Sequence, residues 1–439
     1  MLDLIEQLDR IMPTALTGSV AQTAGTTVAA AGFPAPVGAV AEIQRQSGPP
    51  LPAEVVGFRD DLTVLYPLSD LSGVQRGGHV RLMHTTHQLR VGSELLGRVI
   101  NAKGNVVDGR PQPALGRRTS RDRRPPDACS RPRIDEPLAT GVRAIDGLLT
   151  CGKGQRMGIF AGSGVGKSVL LGMMARYTAA DVIVIALIGE RGREVNEFIQ
   201  RDLGPDGLAK SVVVVATSDE PALVRTQAAS TATAIAEYFR DQGKDVLLLM
   251  DSLTRFALAQ REVGLAAGEP PATRGFTPSV FAMLPKLVER AGRTPTGSIT
   301  AFYTVLVEAD DPNEPISDAV RGLLDGHTWL SRQLSSRGHY PAVDILQSIS
   351  RLMPEVTDAE HAQATYAIRN LLGAYRDHED LISIGAYRRG GSKTVDLAID
   401  MRDEIFSYLR QPVEQRSSVA DAREGLLQLY RKYCERMEN

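Results

Sequence analysis

The sequence predicts an α/β protein: a doubly wound, mostly parallel sheet flanked by a small N-terminal β-barrel and a helical C-terminal domain. Three observations predict it. Between residues 140 and 354, short apolar runs alternate with glycine turns and helical stretches, as expected for strands buried on both faces of a parallel sheet. Before them, residues 18–113 hold short β-branched runs with turn signals at roughly 8–12-residue spacing. After residue 355 the strand-like runs stop, and leucine, alanine and charge recur at helical spacing.

Residues 1–17 form an N-terminal amphipathic segment, with Leu4, Leu8 and Ile11 at helical spacing and charges between them. Ten residues are too few for a stable free helix. The segment reads either as a fraying terminus or as one that orders on a partner. Its acidic start, Asp3, Glu6 and Asp9 before any basic residue, is wrong for a secretory signal. The barrel or sandwich follows over residues 18–113, with GTTVAAAG, VGAVAEI, AEVVGF, LTVLYPL, HVRLM and ELLGRVI as its runs. Residues 114–139 form an Arg/Pro-rich linker. Within it, RRTSRDRRPPDACSRPR holds seven arginines and three prolines, which cannot bury a core. A solvated connector is favoured over an anion-binding patch, because no aromatics are interleaved for stacking.

The core follows at residues 140–354. QRMGIF, DVIVIALIG, SVVVVAT, DVLLLMD and SITAFYTVL read as its strands, and PALVRTQAASTATAIAEYFRDQG as one of its helices. The helical domain occupies residues 355–439. At roughly 100–200 residues per domain, a chain of 439 residues agrees with this division. The formal net charge of −2 supplies no global field for nucleic acid or anionic membrane, so any polyanion site is local. Cys129, Cys151 and Cys434 are far apart and odd in number, which argues against disulfides or zinc and for a reducing compartment. His84 and His87 lack nearby ligands in sequence and read as a solvated strand end. No apolar run approaches the roughly 18 residues needed to span a bilayer. A cytoplasmic protein is expected.

The chemistry clusters in the core. AGSGVGKS, residues 161–168, nearly spells the phosphate-binding loop G-x-x-x-x-G-K-[ST], with Ala161 where the first glycine belongs. It lies between a strand and a helix. Backbone N–H groups of Gly162, Ser163, Gly164, Val165 and Gly166, with the start of the helix at Lys167, Ser168 and Val169, would cradle phosphates. Lys167 reaches the terminal phosphates and Ser168 ligates Mg²⁺. A methyl at position 161 is tolerable if its φ is negative. DVLLLMDS ends a strand in Asp251, placed to hold Mg²⁺ through water. IALIGERGREVNEF ends another in Glu190, placed to polarise an attacking water. Arg191 and Arg193 can pair with phosphate or with neighbouring carboxylates. In HYPAVDILQSISRLMP, Arg351 can stabilise charge in phosphoryl transfer. Tyr340 reads either as a base-stacking residue or as a core tyrosine.

Together these segments resemble the catalytic β-type subunits of rotary ATPases. They resemble still more closely the ATPases of type III export systems. The resemblance runs from about Gly18 to the C-terminus. It is carried by TGVRAIDGLLTCGKGQRMGIFAGSGVGKS, IGERGREV, LLLMDSLTRFALAQREVGLAAGEPP and HYPAVDILQSISR. TRGFTPSVFAMLPKLVERAG and GSITAFYTVLVEADDPNEPISDAVRGLLDGH favour the flagellum-specific branch over the virulence-type branch. The resemblance implies an N-terminal β-barrel, a RecA-like P-loop core that hydrolyses ATP with Mg²⁺, and a homohexamer with nucleotide at subunit boundaries. By position it implies Lys167 as the P-loop lysine and Glu190 as the catalytic carboxylate. It makes Tyr340 the adenine contact and Arg351 the arginine offered to a neighbour's ATP. Alanine at the loop's first position is common in such export ATPases. Implied partners are a regulatory stator-like protein at the N-terminus, a central coiled-coil stalk, export-gate membrane proteins and chaperone–substrate complexes, with no specific nucleic acid. The implied location is the inner face of the cytoplasmic membrane. The alternatives are a rotary synthase catalytic subunit, a Rho-like RNA translocase and a nucleotide-binding ring without hydrolysis.

Overall fold

The computed structural model describes residues 16–307, 311 and 314–438. The amphipathic segment with Leu4, Leu8 and Ile11 lies outside the described residues. Six strands close a barrel: β1 (Thr17–Ala24), β2 (Thr27–Ala31), β3 (Val40–Ile43), β4 (Leu51–Arg59), β5 (Leu62–Pro67) and β6 (His79–His84). Their order is β1-β2-β5-β4-β3-β6, with β6 paired back onto β1. Closure leaves no open edge. Val20, Val28, Ile43, Leu51, Leu65 and Val80 fill the interior.

The next strands leave the barrel. β7 (Gln88–Val91) pairs with β9 (Arg117–Ser120) as a separate ribbon. β8 (Arg98–Asn101) joins the central sheet. The span 18–113 is therefore not barrel throughout. A four-residue strand carries too little pattern to reveal which sheet it enters.

The central sheet adds β10 (Arg156–Ala161), β11 (Val182–Glu190), β12 (Ser211–Thr217), β13 (Asp245–Asp251), β14 (Gly292–Arg293), β15 (Ser298–Leu306), β16 (Gly326–Leu330) and β17 (Val343–Ser350). Its order is β17-β16-β10-β15-β13-β11-β12-β8, with β14 on β15. β14 and β17 run antiparallel to their neighbours, and the other pairs are parallel.

Alternate residues of β11 feed two separate cores. Ile183, Ile185 and Leu187 join Leu171 and Met174 of α1 (Lys167–Tyr177) on one face. Val184, Ala186 and Ile188 join Ala228 and Ile235 of α2 (Ala222–Asp241) and Phe256 of α3 (Leu253–Ala267) on the other. This is why the strand reads as a continuous apolar run rather than an alternating one. Three C-terminal helices, α4 (Ala359–Ser383), α5 (Lys393–Leu409) and α6 (Val419–Glu438), share the first core through Ile368, Met401, Ile405 and Leu426. Truncating one such leucine to alanine costs about 2–5 kcal/mol. Among the described residues no helix is long and apolar enough to cross a membrane.

The Arg/Pro-rich stretch is not a free linker. β9 lies within it, and Arg121 is buried. Arg123 bonds Asp241 at 2.7 Å, and Arg131 bonds the Glu289 carbonyl at 2.7 Å. Guanidinium groups bond carbonyls and carboxylates while keeping an apolar stem packed. Those partners lie more than a hundred residues away, so local composition alone suggests a solvated tether.

Candidate active site

The phosphate-binding loop stands at the C-terminal end of β10, where open parallel sheets place their ligands. Ala161 is the last residue of that strand, paired with Leu306 on β15 and Leu330 on β16. It is fully buried in extended backbone and is not among the residues with positive φ. A glycine's freedom is not required there. It is required later in the loop, where Gly164 has φ 78° and Gly166 has φ 94°. Gly166 stands at the N-terminus of α1, which no side chain caps. The helix start is thus left available to an anion. Ser163 and Ser168 are exposed, Val165 is buried, and Val169 is half-buried.

Three strand ends bring the charged residues together. Lys167 Nζ lies 2.5 Å from Asp251 Oδ1 and 3.8 Å from Glu190 Oε1. Asp251 ends β13, and Ser252 then caps α3 by accepting from the Arg255 N–H at 3.2 Å. Glu190 ends β11 just past an irregularity in its pairing with β12. Gly189 makes that bend with φ 69°, and a Cβ there would lie 3.2 Å from Arg255 Cβ. Glycine at 189 therefore lets the chain turn Glu190 toward the loop. Glu190 Oε1 is buried without a hydrogen-bond partner. Burial first, and then the nearby Asp251 charge, push the Glu190 carboxyl up to about 7, with Lys167 opposing. A raised carboxyl with an unused oxygen, beside a lysine and a second carboxylate, suits general-base work.

Arg255 was not singled out in the sequence. It occupies the first turn of α3, against Gly189, and its charge acts on Glu190. Its Nε is buried without a hydrogen-bond partner. One sequence signal existed: a cation in a helix's first turn opposes the helix dipole, so its presence asks for an anionic partner.

Arg191 and Arg193 take the carboxylate alternative. Arg191 pairs with Glu194 at 3.4 Å with its side chain 78% exposed, and Arg193 pairs with Glu197 at 2.8 Å. Arg191 is the N-cap of the short helix that follows β11. Its helix start faces solvent, where a neighbouring acid is the nearest partner.

Tyr340 is 46% exposed, so it is not a core tyrosine. Its ring flanks Gly166 and helps line a cavity of about 440 Å³ with Val169, Leu170, Met173, Pro412 and Val413. A concave, mostly apolar wall of this kind suits a planar base. Pro412 and Val413 come from the segment between α5 and α6, a contribution the sequence did not disclose.

Arg351 stands elsewhere. It follows β17, whose Ser350 pairs with Gly326 at the start of β16. Its N–H bonds the Asp325 carbonyl at 3.0 Å, and Asp325 N–H bonds the Arg156 carbonyl at 2.9 Å. Arg351 thus lies beside the beginning of β10, and the loop follows its end. At about 3.3 Å per strand residue, the two are separated by about 17 Å.

Residues able to hold a metal are few. Among the described residues no group of three or more His, Cys, Asp or Glu could do so. Asp251 and the Ser168 hydroxyl fit the mode in which Mg²⁺ keeps its waters and takes its remaining ligands from nucleotide phosphates.

Residues 141–350 match the ATP synthase alpha/beta family, nucleotide-binding domain, and residues 357–428 match the T3SS EscN ATPase C-terminal domain. The chain is 49% identical to the flagellum-specific ATP synthase of Bacillus subtilis (strain 168), over 98% of both chains. It is 51% identical to the type 3 secretion system ATPase of Xanthomonas euvesicatoria, over 93% of both. The solved structure of the assembled ATPase EscN from the enteropathogenic E. coli type III secretion system superposes with a TM-score of 0.89 at 48% identity, covering 94% of this chain and 99% of that one. A second EscN structure, in complex with its central stalk EscO, gives 0.87. With about half its residues identical over almost its entire length, the chain belongs to the ATP synthase alpha/beta family, among the ATPases of type III export.

Proposed function

We propose that this protein hydrolyses ATP with Mg²⁺ to energise export of flagellar proteins through a type III export apparatus, as a homohexamer. The observation that carries the reading is the meeting of Lys167, Glu190 and Asp251 beneath a glycine loop, in a chain of this family. Bound Mg-ATP supplies the transferable phosphoryl group. Lys167 exchanges Asp251 for the terminal phosphates. Ser168 and Asp251 would hold Mg²⁺, which would offset the negative charge of the phosphates. Glu190 uses its free oxygen to orient the attacking water and accept its proton. Arg255, packed against Gly189, supplies positive charge beside Glu190, and Arg351 acts on a neighbouring subunit's nucleotide.

The branch rests on the flagellar relatives and on the segments quoted above. Near-equal likeness to the virulence-type ATPases supports the same chemistry at another export apparatus. A central stalk is proposed from the EscN–EscO complex. The stator-like regulator, the export gate and the membrane-side location are proposed from the family resemblance.

The direct test is phosphate release from Mg-ATP by the purified chain. Lys167→Ala is expected to abolish release and weaken nucleotide binding. Undiminished turnover in that variant would remove the loop from the mechanism. For the base pocket, Tyr340→Ala is expected to raise the KM for ATP roughly tenfold, from lost stacking, with kcat little changed. Tyr340→Phe keeps the ring and should stay near the parent value. A KM unaffected by the alanine places the base somewhere else.

A further inference from the structure

We infer that Thr304 is a positioning residue of the nucleotide site: its buried hydroxyl fixes which oxygen of Asp251 is left to face the metal and nucleotide. Thr304 lies on β15 beside β13 and is completely buried. Its neighbours Phe302, Tyr303 and Val305 are equally buried. Nothing in strand packing asks for a hydroxyl here, since valine has nearly the same shape and an equal β preference. A buried hydroxyl without a partner is costly. This one donates to Asp251 Oδ1 at 2.7 Å, and its approach to the Met250 carbonyl is longer, at 3.4 Å.

Lys167 meets the same oxygen. Asp251 Oδ2 takes no hydrogen bond among the described residues. The two bonds therefore divide the carboxylate into a held side and a free side. The inference rests on the reading of Asp251 as the metal-side carboxylate. Under that reading Lys167 leaves for the phosphates when nucleotide arrives. Thr304 is then the bond that remains on Oδ1, so the carboxylate keeps its orientation when the site is loaded.

The test uses the full chain and a fluorescent methylanthraniloyl-ADP, titrated with Mg²⁺ and, separately, bound in EDTA. Thr304→Val is expected to leave metal-free binding unchanged and to raise the Mg²⁺ midpoint roughly tenfold, the scale of a lost hydrogen bond to a charged group. Thr304→Ser restores the donor and should return the midpoint to the parent value. Asp251→Asn is the control and is expected to lose the Mg²⁺ response. If Asp251→Asn loses it and Thr304→Val keeps the parent midpoint, the inference fails and the reading of Asp251 stands. If Thr304→Ser behaves like Thr304→Val, the residue serves packing alone. An unchanged Asp251→Asn overturns both. Should Thr304→Val fail to fold, as read by thermal melting, Thr304→Ala carries the same comparison.

Discussion

Glu190→Gln is expected to keep nucleotide and lose turnover by about 10²–10⁴-fold, the range for removing a positioned general base. The side chain stays the same size, so Gly189, Arg255 and the loop keep their places. What disappears is the ability to take a proton from water. The same residue sets a pH dependence. With its carboxyl pushed up to about 7 by burial and by Asp251, the free protein gains its active base as pH rises through neutrality. kcat/KM should fall about tenfold per pH unit below that point, and this limb should vanish in the glutamine variant. Stability moves the opposite way. A carboxyl raised above its unfolded value contributes stability that is complete below the unfolded value near 4.5 and is lost as pH rises through about 7. At pH 8 the glutamine variant should therefore melt above the parent, and at pH 4 the difference should close. Parent-like turnover in the variant would assign the base to another group.

The sequence made the centre of this site readable and its borders obscure, for one physical reason. β10, β11, β12, β13 and β15 are buried on both faces, so each shows as an uninterrupted apolar run. The residue that ends such a run lies at the sheet's ligand-binding edge. Lys167, Glu190 and Asp251 were legible because each follows or closes one of these strands. Arg255 was not, because it enters from the first turn of a helix and looks locally like ordinary surface charge. Pro412 and Val413 were not, because they reach the site only when the C-terminal helices dock. The arginines at 121, 123 and 131 were misread for the same reason: their acids and carbonyls lie far along the chain. Ala161 was an apparent defect in the loop. The structure removes the difficulty by making it a strand residue, with the turn delegated to Gly164 and Gly166.

Arg351→Ala should bind nucleotide and lose about 10³–10⁵-fold in turnover, the value of an arginine finger in other NTPases. Arg351 sits beside Asp325 and Arg156, about 17 Å along β10 from its own loop at strand spacing. No arginine side chain bridges that distance, so a catalytic role requires the loop of another copy. Ring closure through a head-to-tail contact puts one edge of each protomer against a different edge of the next. That arrangement makes a prediction a structural role cannot mimic. Arg351→Ala supplies an intact loop and lacks the finger, and Lys167→Ala supplies a finger and lacks a working loop. Each alone should be inactive. Mixed before assembly in equal amounts, about a quarter of the boundaries regain both halves, and phosphate release should reappear. Mixtures that stay inactive, although they assemble and exchange subunits, would place the role of Arg351 within its own chain and remove the need for a ring in catalysis.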